Sequence, residues 1–363
     1  MNLTEAVIKS GKTFFPFKIF GQYLIERNIR ILNRIGVKKI YLTLSKEETL
    51  FYKKNIEKHV QSLKGTSILF TKPKTKKHYL LSSNFFLFLK TFANAKNFTI
   101  KDSIASPKKT LETFEIQTKS DLKDASAIAS EIIRKTSGGI VAQNVNKRIS
   151  IPLSRVLAFF RVHPNTITII NFFLGLFSLY LIVTQGLLWQ AFGGFLFQCC
   201  SIFDGCDGEV ARMTNRFSKL GGILDTVSDQ TLALLLIATG LFSAYKAFSF
   251  TTFLILLAMF IVGILLFFSL ILFWMTHYSQ SMSFASLSRE FIEKLPQTDK
   301  LALATKYLQY LTRKEIYSLC VFVVCALGIL HIYTFAVSCF VFLGGIIILI
   351  LAIRYFSTFK RLR

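Results

Sequence analysis

Apolar residues are distributed unevenly along the chain. From about residue 166 onward they gather into runs long enough to cross the roughly 30 Å hydrocarbon core of a bilayer, at about 166–184, 187–210, 220–245, 250–275, 317–334 and 336–356. This pattern predicts six transmembrane helices, with outer turns near 185, 247 and 335. Ahead of them the pattern is that of a water-soluble unit. Strand-like Ala6-Val7-Ile8 and Lys39–Leu44 bracket a helical spacing over Gly21–Ile35, and Ser67–Phe70 and His78–Leu81 are a second pair of segments. The expected architecture is an α-helical integral membrane domain of six transmembrane helices over 166–363, preceded by a small α/β cytoplasmic domain over 1–136. Residues 137–165 join the two. Ser137-Gly138-Gly139 marks a linker, and Ile149, Leu153, Val156, Leu157 and Phe160 then alternate with Lys147, Arg148, Arg155 and Arg161, with Pro152 suited to a first helical turn. An amphipathic helix on the inner membrane surface accounts for that pattern; a helix packed on the soluble domain is the alternative.

Charge sharpens the topology. The 363 residues carry 44 Lys+Arg against 20 Asp+Glu, and 30 of the basic residues precede residue 166. With residues 1–165 inside, the 211–219, 276–316 and 357–363 segments are inside as well, and of the basic residues only Lys246 falls outside. This obeys the positive-inside rule, so the net charge reports orientation and an anionic inner leaflet. Nucleic acid is not the expected partner, since no RNA-binding signature, zinc finger or helix-turn-helix accompanies the charge. A single soluble globule, a fibrous protein and a disordered chain are excluded by the apolar runs. The six cysteines lie in or beside those runs without C-x-x-C spacing and read as small core residues. The N-terminus lacks a basic start followed by an apolar stretch, so no cleaved signal peptide is expected and the sequons at Asn2 and Asn97 stay unmodified in the cytoplasm.

The chemistry-bearing residues concentrate in one place. Of nine acids beyond residue 165, five lie between 204 and 229, in Asp204-Gly205-Cys206-Asp207-Gly208-Glu209-Val210-Ala211-Arg212 and Gly221-Gly222-Ile223-Leu224-Asp225-Thr226-Val227-Ser228-Asp229. Asp204 and Asp207 share one helix face, as do Asp225 and Asp229. A short loop makes the two helices antiparallel neighbours, so the four carboxylates can converge. Uncompensated, they would repel one another at a cost of several kcal/mol. An all-oxygen set without His or Cys suits Mg²⁺ or Mn²⁺, and two such ions can clamp a pyrophosphate. A buried ion-pair network, or a cation site in a transporter, is the competing reading; Arg212 and Arg216 are too few to neutralise these acids.

The pattern D-G-x-x-A-R, eight residues, then G-x-x-x-D-x-x-x-D resembles the signature of the CDP-alcohol phosphotransferases at Asp204, Asp207, Gly208, Ala211, Arg212, Gly221, Asp225 and Asp229. The resemblance implies a six-helix membrane enzyme with a cavity open to the cytoplasm. Asp204, Asp207 and Asp225 would bind two divalent ions, and Asp229 would complete the cluster and serve as general base. Gly208, Ala211 and Gly221 would line the CDP pocket, with Arg212 supporting the phosphates. The acceptor oxygen attacks the β-phosphorus and CMP leaves. His163-Pro164-Asn165-Thr166-Ile167-Thr168 is similar to the family's P-N-x-x-T start of the first span, which places Asn165 and Thr168 on the nucleotide side or in a helix cap. Arg313, Lys314, Lys147 and Arg148 are candidates for gripping an acceptor phosphate, with leaflet anchoring the alternative. Family members often pair as dimers.

The α/β unit resembles sugar-phosphate nucleotidyltransferases more weakly, over Pro16–Leu44 and Phe114–Leu122. Its pairing with this membrane domain, and the bridge Val145–Ser150, is similar to the bifunctional inositol-phosphate cytidylyltransferase/di-inositol-phosphate-phosphate synthases. Departures matter here. Lys9-Ser10-Gly11-Lys12-Thr13 replaces a G-x-G-T-R loop, and the two metal acids are replaced within Ser82-Ser83-Asn84 and at Gln117. Without them the domain is expected to be catalytically silent. The A-x-x-x-x-G-K-T match at Ala6–Thr13 is a poor phosphate loop, because a strand occupies it and Phe14-Phe15-Pro16 blocks the following helix. A silent cytidylyltransferase cannot supply a soluble CDP-alcohol, so CDP-diacylglycerol is the expected donor and phospholipid synthesis the expected role. CDP-inositol with an inositol phosphate acceptor is the alternative within the family, a cation transporter the alternative outside it.

Overall fold

A computed structural model of the chain describes residues 5–10, 18–34, 36–61, 63, 65–71, 79–82, 85–87, 113–115, 119–135, 142–184, 186–277 and 313–360. The residues beyond Ser10 in the Lys9–Thr13 loop, Ser83, Asn84, Gln117, the linker glycines, both sequons and most of 276–316 lie outside them. Two compact units are present. The first comprises Met1–Thr168 with Phe203–Asp225, the second Ile169–Ile202 with Thr226–Arg363.

In the first unit, β1 (Glu5–Lys9), β4 (Lys39–Thr43), β5 (Ser67–Leu69) and β6 (Tyr79–Ser82) form a parallel sheet in the order β5-β4-β1-β6. Between β1 and β4 stand a short hairpin, β2 (Lys18–Ile19) with β3 (Gln22–Tyr23), and α1 (Leu24–Arg34). Phe20 and Gly21 make the turn at φ of 50° and 70°, the paired left-handed conformation that a two-residue hairpin favours. Helix α2 (Lys46–Asn55) opens with a reciprocal cap between Ser45 and Glu48, and α3 (Glu57–Val60) follows. A further pair, β7 (Phe85–Leu87) with β8 (Thr113–Glu115), is antiparallel, and α4 (Lys119–Lys135) comes after it.

Helix α1 is buried on two sides. Ile25, Ile29, Ile31 and Leu32 join the sheet core with Ala6, Ile8, Ile40 and Leu42. Leu24 instead joins Ile19, Phe20, Ala129 and Ile133 in a second core that also holds Ile151, Ala158, Ile167, Cys206, Val210 and Met213. The α/β elements and the Cys206–Met213 part of the motif thus share an apolar core.

Helix α5 (Lys147–Phe159) follows a π-helical turn at Ala142–Asn146. Pro152, expected in its first turn, lies inside it. Pro152 itself is exposed. Ile149, Val156, Phe159 and Phe160 are exposed, whereas Lys147, Ser150 and Ser154 are buried. Ile151 and Ala158 lie on that inner side too, in the second core, while Arg148 and Arg155 stand outward among the exposed apolar residues.

Among the described residues six helices follow: α6 (Pro164–Val183), α7 (Leu187–Thr214), α8 (Lys219–Ala247), α9 (Phe250–His277), α10 (Lys314–Ala326) and α11 (Leu330–Lys360). Among the described residues three helices are long and apolar enough to cross a membrane, Pro164–Val183, Lys219–Ala247 and Leu330–Leu351. The turn expected near 335 falls instead at 327–329. Gly328, at φ of 71°, donates its N–H to Cys325 O, and Ile329 donates to Val324 O, ending α10 at Ala326, well before the end of the apolar run at 334. Apolarity on both sides of the short Leu327–Ile329 break conceals it in the sequence.

In the second unit α9 and α11 approach closely through small residues. A Cβ on Gly263 would sit 2.8 Å from the Val341–Phe342 backbone, and one on Gly345 would sit 3.1 Å from Gly263 O. Leu179, Ile182, Phe197, Leu232, Val321, Cys325 and Leu330 make its apolar core. All six cysteines are free thiols.

Candidate active site

The site begins at the start of α6. Pro164 occupies its first turn, where a missing N–H costs nothing, and His163 caps it. The carbonyl of His163 accepts from Thr166 and Ile167, while its Nδ1 accepts the Asn165 N–H at 3.3 Å. Burial, then Arg216, holds the His163 imidazole below its ordinary 6.5, keeping Nδ1 an acceptor at neutral pH. With His163 as the cap, Asn165 and Thr168 are released for other tasks. Thr168 Oγ1 donates to Asp207 Oδ2 at 2.5 Å. Asn165 Oδ1 lies 3.5 Å from Ser218 Oγ.

Ser218 is the N-cap of α8, accepting the Gly221 N–H at 2.8 Å. A Cβ at Gly221 would come within 2.7 Å of Asn165 Oδ1 and 2.8 Å of Ser218 Oγ. A larger residue there would have to displace both side-chain oxygens. Helix α7 ends at Thr214, whose hydroxyl returns to Val210 O, and Asn215 turns the chain at φ of 53°.

Three of the four motif aspartates come together. One carboxylate oxygen from each of Asp204, Asp225 and Asp229 lies within 4.8 Å of the others, and all three are partly buried. Asp225 and Asp229 are one turn apart on α8. Asp207 stands outside this group, accepting from Thr168 and from the Gly208 N–H. Asp229 also pairs with Lys314 at the start of α10. Arg212 lays its guanidinium against Gly208, where a Cβ would be 3.3 Å away, and its buried Nε has no acceptor among the described residues.

Glu209 was not singled out by the sequence. It is fully buried inside the motif and accepts from Lys147 Nζ at 2.6 Å, Ser150 Oγ at 2.6 Å and Ser154 Oγ at 2.7 Å. A glutamate inside an apolar helix, with Lys, Ser and Ser at helical spacing on the preceding element, was the available signal. Lys147 is thus bound to Glu209, Arg148 is exposed and Arg313 begins α10. The four basic residues considered for an acceptor phosphate do not share one role.

A profile of the CDP-alcohol phosphatidyltransferase family matches residues 161–340, which include every residue of the acidic cluster. This part of the chain is a CDP-alcohol phosphatidyltransferase domain. The CDP-alcohol phosphatidyltransferase domain is accompanied by similarity to named relatives. The chain is 33% identical over 125 residues to the bifunctional IPC transferase and DIPP synthase of Archaeoglobus fulgidus, covering 34% of this chain and 24% of that one. It is 36% identical over 131 residues to the Thermococcus kodakarensis protein of the same name, covering 34% and 29%. The archaetidylinositol phosphate synthase of Pyrococcus horikoshii is 33% identical over 89 residues, covering 24% of this chain and 46% of that relative. The matches thus span less than half of each relative's length.

Proposed function

We propose that the protein is a multi-pass membrane enzyme that transfers a substituted phosphate from CDP-inositol to a hydroxyl of an inositol phosphate, releasing CMP. The convergence of Asp204, Asp225 and Asp229 within a family motif carries the reaction class. The substrate choice rests on the relatives, whose names favour inositol chemistry over the CDP-diacylglycerol expected from the sequence.

The residues present fit divalent cations. Three hard oxygen donors within 4.8 Å, a group without histidine or cysteine among the described residues, suit Mg²⁺ or Mn²⁺. Asp204, Asp225 and Asp229 would hold them, with Asp207, hydrogen-bonded to Thr168, as a further candidate ligand. Bound there, such ions would supply charge neutralisation for the pyrophosphate and for the departing CMP. The chain's own groups supply the rest. Arg212 turns a buried donor toward the phosphates, and Asn165 and Gly221 allow a nucleotide close approach. Asp229 accepts the proton of the acceptor hydroxyl as its oxygen bonds to the β-phosphorus and the bond to the CMP oxygen breaks. Lys314, paired with Asp229, fixes that carboxylate. Six spans with the N-terminal unit and C-terminus on the inner side complete the proposal, with the outward apolar face of α5 resting on the inner leaflet.

The test is CMP release by the full chain in lipid nanodiscs with Mg²⁺ or Mn²⁺. CDP-inositol with inositol phosphate should give metal-dependent turnover abolished by EDTA. Turnover with CDP-diacylglycerol alone would reverse the donor assignment, and no CMP from any CDP-alcohol would remove the enzyme reading.

A further inference from the structure

Among the described residues Arg27 is the largest side chain with no solvent exposure. Burying a guanidinium is costly unless its charge is answered. Here it donates to the backbone carbonyl of Met213, in the last turn of α7, and lies 5.8 Å from the centroid of the Phe20 ring. Seven residues along α1, Arg34 stacks on Phe217 at 3.6 Å. Both arginines therefore grip the segment between the two halves of the motif, one at its beginning and one near its end.

The grip is reinforced from behind. Arg161, held at φ of 58°, donates from Nε to Gly21 O at 2.8 Å and forms an ion pair with buried Glu26 at 3.0 Å. Arg216 donates to Arg161 O at 3.2 Å. A Cβ at Gly21 would meet Ala158 O at 2.3 Å, so the hairpin turn is pressed against the end of α5. The segment so held carries Asn215 in its left-handed turn and Ser218, which caps α8 and faces Asn165.

We propose that the α/β domain is a positioning element for the donor site, with Arg27 and Arg34 as positioning residues that fix the Met213–Ser218 segment and hence the register between the motif's two halves. The kinetic consequence rests on the CDP-alcohol reading; the clamp does not. Pre-ordering this segment lowers what donor binding must spend on ordering it.

The test uses the full chain in nanodiscs, with hydrogen exchange over 213–218 and CMP-release kinetics measured on the same samples. Arg27→Ala should speed exchange in that segment at least tenfold. It should raise the donor KM at least fivefold while kcat at saturating donor stays within about threefold. Arg27→Lys, which retains a cationic donor for Met213 O, should fall between. Arg34→Leu, a milder change, serves if Arg27→Ala does not fold and should show the same exchange effect. Unchanged exchange in the folded variants, or a lower melting temperature with unchanged KM, would overturn the proposal. If the wild type releases no CMP from any CDP-alcohol, the functional reading fails, while exchange still decides the clamp.

Discussion

Gly221 shows how one missing methyl group shapes the site. Its would-be Cβ collides with Asn165 Oδ1 and Ser218 Oγ, so Gly221→Ala should cost about 1–3 kcal/mol by overpacking and raise the donor KM. Asn165→Ala in the same chain should recover part of the loss in a double-mutant cycle. Glu209 makes a different prediction. Glu209→Leu alone leaves the Lys147 ammonium buried without its partner, a loss of about 3–5 kcal/mol, read as a lower melting temperature. Lys147→Met with Glu209→Leu should be far milder than either change alone. The motif aspartates and Gly221 were legible because their spacing is distinctive; Glu209 was not, since a hydropathy pattern carries no information about which buried acid finds three donors.

At the scale of elements, the strands and helices with strong periodicity were readable and their junctions were not. The spacing over Gly21–Ile35 became α1, and each apolar run produced a helix. The Phe20–Gly21 hairpin turn was missed because Phe is an unusual occupant of a left-handed position. The end of α10 at Gly328 was missed because both flanks are apolar. The His163 cap of α6 predicts a pH effect. Its lowered pKa means that the unfolded chain takes up the proton first on acidification. The stability it supports is therefore complete above about pH 6.5 and lost as pH falls through and below that value. His163→Asn, a cap that does not titrate in this range, should flatten the melting temperature between pH 7 and 5.

For the whole molecule, the sequence separated a basic α/β region from a membrane region, yet the compact units cut across that order. The end of α7 packs with the N-terminal elements, and the first turns of α8, to Asp225, belong to the same unit. No linear pattern announces this, because the shared core draws single residues such as Leu24, Ile151 and Met213 from distant segments. A consequence follows for truncation. Removing residues 1–136 would expose that core and the buried face of α5, so the isolated 137–363 chain should aggregate or lose donor affinity even though it retains every motif residue.

Manganese binding tests the central claim most directly. Electron paramagnetic resonance of the purified full chain, titrated with Mn²⁺ in the presence of a non-hydrolysable CDP-alcohol analogue, should count two bound ions per chain. Asp204→Asn and Asp225→Asn should each weaken that binding at least tenfold in protein that melts normally. Undiminished Mn²⁺ binding in both variants would contradict the account.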